Sequence, residues 1–353
     1  MRKGKRLIAW IMAVVMLFTI CVFGGNGTAE AAATTPVAKH GRLSVKGADL
    51  VDSKGNKFQL RGISTHGINW DVGSPYVNKK AFKTLRDDWG VNAIRLAMYT
   101  EEYNGYCSGG SQAKLRKQVD KGVRYATDLG MYAIIDWHIL SDGNPNKNKS
   151  QAKKFFTTMA KKYKNNKNVI YEICNEPNGC GWKEIKSYAT DIIKTIRKYD
   201  KKAVIIVGTP TWSQLGTDGT SNEVADSPIK GYKNIMYSLH FYASEWAHNE
   251  YLPAKVAYAR KKKLPIIVSE FGLSPASGDG AINKASADKW MKLLNKYNIS
   301  YFCWSLSNKN ESASLLKPST KKTSGWKSGD LSTAGNYIKK KYLARKKALG
   351  KKA

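Results

Sequence analysis

Residues 169–177 read Val-Ile-Tyr-Glu-Ile-Cys-Asn-Glu-Pro, a mostly apolar run that ends in a group of polar side chains. A continuous apolar run of this length is typical of a strand that is buried on both faces, as in a parallel sheet. A second run of the same kind, residues 265–270, ends in Glu270. Burying a carboxylate is costly unless it is paired or used chemically. The two stretches therefore predict buried strands that present Glu176 and Glu270 where they end.

The same pattern repeats along the chain, because eight strand-like runs alternate with longer amphipathic stretches. The runs are Gln59–Ser64, Ala93–Met98, Tyr132–Trp137, Val169–Cys174, Ala203–Gly208, Ile235–His240, Pro265–Glu270 and Ser300–Ser305. The helical patterns are Lys79–Trp89, Ala113–Leu129, Ser150–Tyr163, Lys183–Tyr199, Leu252–Lys263 and Ala285–Tyr297. This alternation predicts an α/β fold, a single (β/α)8 TIM barrel. An open doubly wound sheet is the alternative, but residues 62–67, Gly-Ile-Ser-Thr-His-Gly, do not form its usual phosphate loop.

The two ends of the chain are expected to lie outside the barrel. A basic stub, an apolar run over residues 7–23 and the Ala29-Glu30-Ala31 pattern predict a cleaved signal peptide over residues 1–31. An uncleaved membrane anchor is the alternative, since the run approaches the length needed to span a bilayer. We further predict a short linker over 32–39, the barrel over 40–345 and a basic tail over 346–353. Residues 40–58 are expected to form a small β-hairpin that turns at residues 53–56 and caps the bottom of the barrel.

The chain is strongly basic, with a formal net charge of +32. Removing residues 1–31 takes away four cations and one acid, which leaves +29. Such a charge favours attraction to anionic polymers, for example in cell walls. The lysines are scattered through amphipathic stretches, however, which also fits a solvated surface. No RNA-binding motif or zinc finger is present, so we expect no nucleic-acid partner.

Four cysteines remain once Cys21 leaves with the signal. Cys174 and Cys303 lie in apolar strand-like runs and are expected to be buried packing residues. Cys107 and Cys180 lie in glycine-rich, loop-like stretches, and they are the favoured pair if a disulfide forms; the sequence leaves open whether it does. No CxxC or histidine-rich spacing indicates a metal site, and no cofactor is expected.

Polar and aromatic residues gather where the predicted strands end. A barrel carries its active site at the carboxyl ends of its strands. Besides Glu176 and Glu270, these positions hold Arg95, Tyr99, His138, Asn175, His240, Tyr242 and Trp304, and His66 follows the first strand. Two carboxylates across a barrel mouth suit glycoside hydrolysis, in which one protonates the leaving oxygen and the other attacks the anomeric carbon. Two unrelated salt bridges at the barrel rim are the structural alternative.

Several motifs in order resemble one known family. They are Gly62–Gly67, Asp87–Gly90, Ala97–Tyr99, Ile135–Asp142, Val169–Glu172, Asn175–Pro177, Gly208–Gln214, His240–Ala243 and Ser269–Gly272. Over residues 40–345 this set is similar to glycoside hydrolase family 5, subfamily 2, the bacterial endo-β-1,4-glucanases. The chain departs from that pattern at Phe271, where many relatives have Trp, and at Cys303 beside Trp304.

The resemblance implies a role for each residue around the two carboxyl groups. Glu176 would be the proton donor and Glu270 the nucleophile. Arg95 would keep Glu270 ionised, because a cation lowers the pKa of a neighbouring carboxyl group. Tyr242 would orient Glu270, and His240 would tune the proton of Glu176.

The resemblance also implies the contacts with the sugar. Asn175 would bind the 2-hydroxyl, His138 would contact sugar hydroxyls and Trp304 would form the stacking floor of the central subsite. The further substrate contacts would be His66, Trp70, Tyr99, Trp212, Lys309 and Glu311. Two buried acids nearby, Glu172 and Asp136, are expected to be structural, and Glu172 is expected to pair with a cation at the barrel bottom.

These observations together predict a secreted, extracellular, retaining endo-β-1,4-glucanase that is a monomer, acts on β-glucan and has no stable membrane insertion after signal cleavage. Mannan, xylan or lichenan are alternative substrates, because loops rather than fold set specificity. A non-catalytic protein that binds carbohydrate or cell wall is the alternative from another functional class.

Overall fold

A computed structural model of the protein describes residues 35–350, so the predicted signal peptide and the last three residues lie outside the described part. The strands are β1 (Ser44–Lys46), β2 (Asp49–Val51), β3 (Arg61–Thr65), β4 (Ala93–Tyr99), β5 (Tyr132–His138), β6 (Val169–Glu172), β7 (Ile205–Val207), β8 (Ile235–Tyr242), β9 (Ile266–Gly272) and β10 (Tyr301–Leu306). Strands β3 to β10 are all parallel and close into a barrel in which β10 pairs with β3. The predicted (β/α)8 barrel is confirmed.

The helices lie between the strands. They are α1 (Pro36–His40), α2 (Lys79–Trp89), α3 (Gln112–Asp128), α4 (Lys149–Tyr163), α5 (Trp182–Arg197), α6 (Pro210–Ser213), α7 (Glu223–Asp226), α8 (Trp246–Lys261), α9 (Lys284–Lys296) and α10 (Thr333–Gly350), with 3-10 turns at Ser74–Tyr76 and Ser328–Asp330. None of the helices in residues 35–350 is long and apolar enough to cross a membrane.

Helix α2 shows how the sequence specifies these elements. The Asn78 side chain accepts a hydrogen bond from the Ala81 amide and caps the first turn. Gly90 ends the helix in the left-handed conformation, which glycine adopts without steric cost. Between them Phe82, Leu85 and Trp89 are buried against the barrel, and the polar positions face solvent.

An apolar cluster, separate from the one between the barrel and its helices, fills the bottom of the barrel where the N-terminal hairpin packs. Leu43, Leu50 and Phe58 join inward-facing strand residues such as Ile134 and Phe302 in this cluster. The hairpin therefore covers the barrel bottom as expected. Closing this end leaves the opposite end, where the strands finish, open for a site.

The predicted turn at residues 53–56 is present, since Val51 and Lys57 form an antiparallel bridge around it, but an earlier turn was not predicted. Lys46 pairs with Asp49, so the chain reverses at residues 47–48, where Gly47 has a φ of +60°. Residues 53–56 form the next turn, in which Asp52 accepts hydrogen bonds from the Lys54 and Asn56 amides. The chain uses both turns: the first joins β1 to β2, and the second brings Lys57 back to Val51 at the end of β2.

Several predicted boundaries also shift. Helix α8 begins at Trp246 rather than Leu252, because its first turns are polar and Pro253 lies inside the helix. The predicted linker 32–39 includes part of helix α1, and the predicted tail 346–353 is helical as far as Gly350. Strand β6 ends at Glu172, so Asn175 and Glu176 lie in the following loop.

The four cysteines in the described part of the chain are all free. Cys174 and Cys303 are fully buried, which confirms that they pack in the core. Cys107 and Cys180 are partly buried and do not form the disulfide that the sequence left open.

The cap on the barrel bottom can be tested through Leu50, which is 3% exposed. We expect Leu50→Ala to reduce the free energy of unfolding by about 2–5 kcal/mol, because it leaves a cavity in the cluster. The exposed Lys46 on the same hairpin is the control, and Lys46→Ala should change stability by less than about 0.5 kcal/mol. Urea denaturation measures both, and equal effects of the two variants would show that the hairpin does not close the core.

Candidate active site

A cleft of about 640 Å³ opens at the carboxyl ends of the barrel strands. Twelve of the predicted site residues line it: His66, Trp70, Tyr99, His138, Glu176, Trp212, His240, Tyr242, Glu270, Trp304, Lys309 and Glu311. The other two, Arg95 and Asn175, are fully buried beside them. The structure thus brings together every residue that the resemblance implied.

The two candidate catalytic carboxyl groups lie close together. One carboxyl oxygen of Glu176, one carboxyl oxygen of Glu270 and one ring nitrogen of His240 all lie within 4.8 Å of one another. Strand pairing produces this arrangement, because His240 on β8 is the register partner of Glu270 on β9. The side chains of Glu176 and Glu270 are 13% and 6% exposed, so both can be reached from the cleft.

Glu270 is held by a hydrogen-bond donor on each oxygen. Arg95 donates from Nη1 to Oε2 at 3.0 Å, and the Tyr242 hydroxyl donates to Oε1 at 2.8 Å. Both donors favour the ionised carboxylate. They also fix its position, as the resemblance implied for Arg95 and Tyr242.

Arg95 is itself fixed from below. Its Nε donates to Glu172 Oε2 at 2.7 Å, and its Nη2 lies 3.1 Å from Asp136 Oδ2. Arg95, Glu172 and Asp136 are all 0% exposed. Glu172 therefore pairs with a cation as expected, but that cation is Arg95, directly beneath Glu270, rather than a residue at the barrel bottom.

Asp136 also orients His138. The Asp136 Oδ2 and His138 Nδ1 atoms are 2.6 Å apart, and burial lowers the pKa of His138 to about 3. A neutral His138 that donates from Nδ1 to Asp136 keeps Nε2 as an acceptor. Asn175 Nδ2 lies 3.3 Å from that nitrogen and also donates to the Ile139 carbonyl.

Glu176 contacts His240, whose Nδ1 is 2.8 Å from Oε1. The other ring nitrogen of His240 lies 2.9 Å from the Ser269 hydroxyl, which in turn contacts Ser238. Burial lowers the pKa of His240 to about 4, so the ring is neutral near pH 7. The ring therefore gives Glu176 a fixed, uncharged hydrogen-bond partner.

The two carboxyl groups titrate as a pair. Burial raises the pKa of Glu176 to about 8, although the charge of Arg95 opposes the shift. Burial also raises the pKa of Glu270, and the nearby Glu176 adds to that effect. Two carboxyl groups this close are not both ionised near neutral pH, so the pair keeps a proton. Because Glu270 faces Arg95 and the Tyr242 hydroxyl, the proton lies on Glu176.

Aromatic rings form one floor of the cleft. The Trp304 and His138 rings are stacked, with centroids 5.3 Å apart and planes 18° apart. The His66 ring lies 5.2 Å from Trp304, and Tyr99 packs against Trp70 at 4.5 Å. Flat apolar rings of this kind fit the apolar faces of sugar rings.

At the rim, Lys309 and Glu311 form an ion pair with Nζ and Oε2 2.5 Å apart. Trp212 is 43% exposed, so its indole is available to a ligand in the cleft.

The cleft also contains residues that the sequence did not single out. They are Glu102, Leu140, Gln214, Glu245, His248, Ala276, Ser277 and Gly278. Glu102 and Glu245 follow the ends of strands β4 and β8, so the rule that barrel loops line the mouth could have found them. His248 has a supporting role, since its Nδ1 accepts a hydrogen bond from the Tyr242 amide.

Glu176, His240 and Glu270 are close enough to hold a metal ion by distance alone. Both nitrogens of His240 already have protein partners, Glu176 and Ser269. The hydrogen bonds account for this arrangement without a cation.

A protonated and an ionised carboxyl group that face each other across an aromatic cleft, on a (β/α)8 barrel, define a glycoside hydrolase. Comparison with known proteins identifies the family. Residues 51–310 match the family described as Cellulase (glycosyl hydrolase family 5). The chain belongs to this family.

Individual relatives agree with the family assignment. The chain is 47% identical over 339 residues to an endoglucanase from Clostridium saccharobutylicum, which covers 95% of this chain and 72% of the relative. It is 44% identical to endoglucanase 5 from Pectobacterium carotovorum, with 92% of this chain and 62% of the relative covered. The fold matches the catalytic domain of a Thermobifida fusca endoglucanase, solved in complex with cellotetraose, with a TM-score of 0.82 and 36% identity over 88% of this chain and 99% of that one.

The raised pKa of Glu176 predicts a pH-dependent stability. The folded pKa of about 8 exceeds the ordinary value of 4.5, so the native state loses stability as pH rises from 4.5 to 8. Glu176→Gln removes this loss. We expect urea denaturation to show that the variant gains about 1–3 kcal/mol over the native enzyme between pH 5 and pH 8.

The exposed Glu250 on helix α8 provides a matched control. Its carboxylate stays in water in both states, so Glu250→Gln should change stability equally at both pH values. A similar response of the two variants to pH would contradict the assignment of the proton to Glu176.

Proposed function

We propose that the protein is a secreted endo-β-1,4-glucanase that cleaves internal bonds of cellulose and related β-glucans with retention of anomeric configuration. One observation supports the mechanism: one carboxyl oxygen of Glu176 lies within 4.8 Å of one carboxyl oxygen of Glu270. Retaining enzymes place their carboxyl groups about 5–5.5 Å apart, whereas inverting enzymes need about 6.5–9.5 Å to admit a water molecule.

In the first step Glu270 attacks the anomeric carbon of the sugar on one side of the scissile bond. The carbon–oxygen bond of the leaving sugar breaks, and Glu176 gives its proton to that oxygen. The products are a glycosyl ester on Glu270, a free sugar end and an ionised Glu176. Arg95 and Tyr242 keep Glu270 ionised and aimed for the attack.

In the second step water replaces the departed sugar. The ionised Glu176 takes a proton from the water, whose oxygen attacks the anomeric carbon and releases the Glu270 carboxylate. Glu176 is protonated again, so the starting state is restored. His240 stays beside Glu176 through both steps and limits the orientations that the carboxyl group can adopt.

The sugar contacts are assigned from position in the cleft. Trp304 and His138 form the floor next to the two carboxyl groups. Asn175 is buried beside His138, and its proposed role is to bind the sugar 2-hydroxyl. The remaining contacts are proposed for the lining residues His66, Trp70, Tyr99, Trp212, Lys309 and Glu311.

The choice of β-1,4-glucan rests on the relatives. Two of them are named endoglucanases, and a structural neighbour was solved with cellotetraose. Mannan, xylan and lichenan remain rival substrates, because the loops that set specificity can differ between similar barrels. Release of reducing sugar from a panel of these polysaccharides decides between them, and we expect the highest rate on carboxymethylcellulose.

We also propose that the protein is exported as a monomer and that its basic surface attracts anionic cell-wall polymers. The proposal rests on the apolar N-terminal run and on the net charge of +32. It concerns location and retention rather than catalysis.

The assignment of Glu176 and Glu270 predicts different responses to the leaving group. On carboxymethylcellulose, Glu176→Gln and Glu270→Gln should each lower kcat/KM by about 10³-fold or more. On an aryl cellobioside whose phenolate leaves without a proton, Glu176→Gln should retain kcat/KM within about tenfold, because the first step no longer needs an acid. Glu270→Gln should remain inactive on both substrates.

Glu250→Gln again serves as the control and should match the native enzyme on both substrates. Equal losses for the two site variants on the aryl substrate would contradict the division of roles. High activity of both on carboxymethylcellulose would contradict the enzyme assignment itself.

The charge proposal predicts a salt-dependent attachment. The fraction of protein that sediments with insoluble pectate should fall strongly as NaCl is raised to about 0.5 M, where the Debye length is well below 10 Å. Sedimentation with neutral cellulose is the control and should change little. Pectate binding that resists salt would remove the electrostatic explanation.

A further inference from the structure

Two exposed aromatic side chains lie next to the cleft but outside its lining. Trp246 is 68% exposed and Tyr251 is 39% exposed, and their ring centroids are 5.8 Å apart. Both belong to the first turns of helix α8, directly after Glu245, which lines the cleft. Large aromatic rings left in water beside a binding cleft are typical of a contact surface rather than of a folding core.

This aromatic pair is attached to the wall of the cleft. The Tyr251 ring packs so closely on Gly219 that an added Cβ would lie 2.9 Å from the ring. On the same helix, Lys255 donates to the carbonyl groups of Gln214 and Asp218. Because Gln214 lines the cleft, the loop over residues 214–219 joins the cleft wall to the helix that carries the pair.

The position of Trp212 and Gln214 shows which end of the cleft lies next to Trp246 and Tyr251. The Trp212 amide donates to the Pro177 carbonyl at 3.0 Å, next to Glu176. In the proposed reaction Glu176 protonates the leaving sugar, so Trp212 and Gln214 lie on the leaving-group side. Trp70 lies elsewhere in the cleft, where its Nε1 donates to the carbonyl of Tyr103.

We propose that Trp246, supported by Tyr251, forms an accessory sugar-binding platform that holds a β-1,4-glucan chain beyond the leaving-group end of the cleft. The occupant follows from continuity, since Trp246 directly follows the cleft residue Glu245 and Tyr251 packs on the loop that carries Gln214. The apolar face of a glucose ring would pack on the indole, which needs no change in the protein. This inference rests on the proposed function.

The platform affects only substrates long enough to reach it. In Trp246→Ala we expect kcat/KM for cellohexaose to fall by about three- to tenfold, the range for the loss of one aromatic contact. Trp246→Phe should keep most of the native kcat/KM for cellohexaose, because it retains an aromatic ring. Hydrolysis of an aryl cellobioside should be unchanged, because its leaving group ends inside the cleft. With reducing-end-labelled cellohexaose, Trp246→Ala should shift cleavage toward shorter leaving fragments.

Leu343→Ala is the matched control, since Leu343 is an exposed apolar residue, 37% exposed, on helix α10. It should behave as the native enzyme on both substrates. An active native enzyme whose Trp246→Ala variant has the same cellohexaose kinetics and cleavage pattern would overturn the platform alone. An equal loss on the aryl substrate would also overturn it, because Trp246 would then act through the active site. A native enzyme without activity on any β-glucan would instead overturn the proposed function.

Discussion

The geometry of the active site depends on one buried cation. The Arg95 guanidinium contacts three carboxyl groups, those of Asp136, Glu172 and Glu270, and is itself 0% exposed. A charge removed from water is tolerated only when it is closely paired. Glu172 and Asp136 hold Arg95 from below, so its remaining edge is directed at Glu270. The position and charge of Glu270, the proposed nucleophile, are therefore set by buried residues beneath it.

The same interior gives two identical side chains the different environments that the proposed acid and the proposed nucleophile need. Burial raises the pKa of both Glu176 and Glu270, and their closeness prevents both from being ionised near neutral pH. Glu270 faces a cation and a hydroxyl donor, whereas Glu176 faces the neutral ring of His240. The difference between these partners, rather than a difference in residue type, decides where the shared proton lies.

The barrel and most of the site could be predicted from the sequence, because buried parallel strands are continuous apolar runs and barrel sites lie where those runs end. The roles of Glu172 and Asp136 beneath Arg95 could not, because a strand buried on both faces carries no period that shows which side chains point inward. The turn at residues 53–56 was predicted, but the turn at residues 47–48 was not, because strands of only three residues are too short to show a pattern. The start of helix α8 was missed because its first turns expose Trp246, which belongs to no apolar stripe.

Direct capture of the covalent intermediate is the most direct test of this account. A 2-deoxy-2-fluoro cellobioside with a good leaving group should slow the second step more than the first, so the glycosyl ester accumulates. Mass spectrometry should find one added 2-deoxy-2-fluorocellobiosyl group, on the peptide that contains Glu270, and none in Glu270→Gln. Attachment to Glu176, or full turnover without any captured ester, would contradict it.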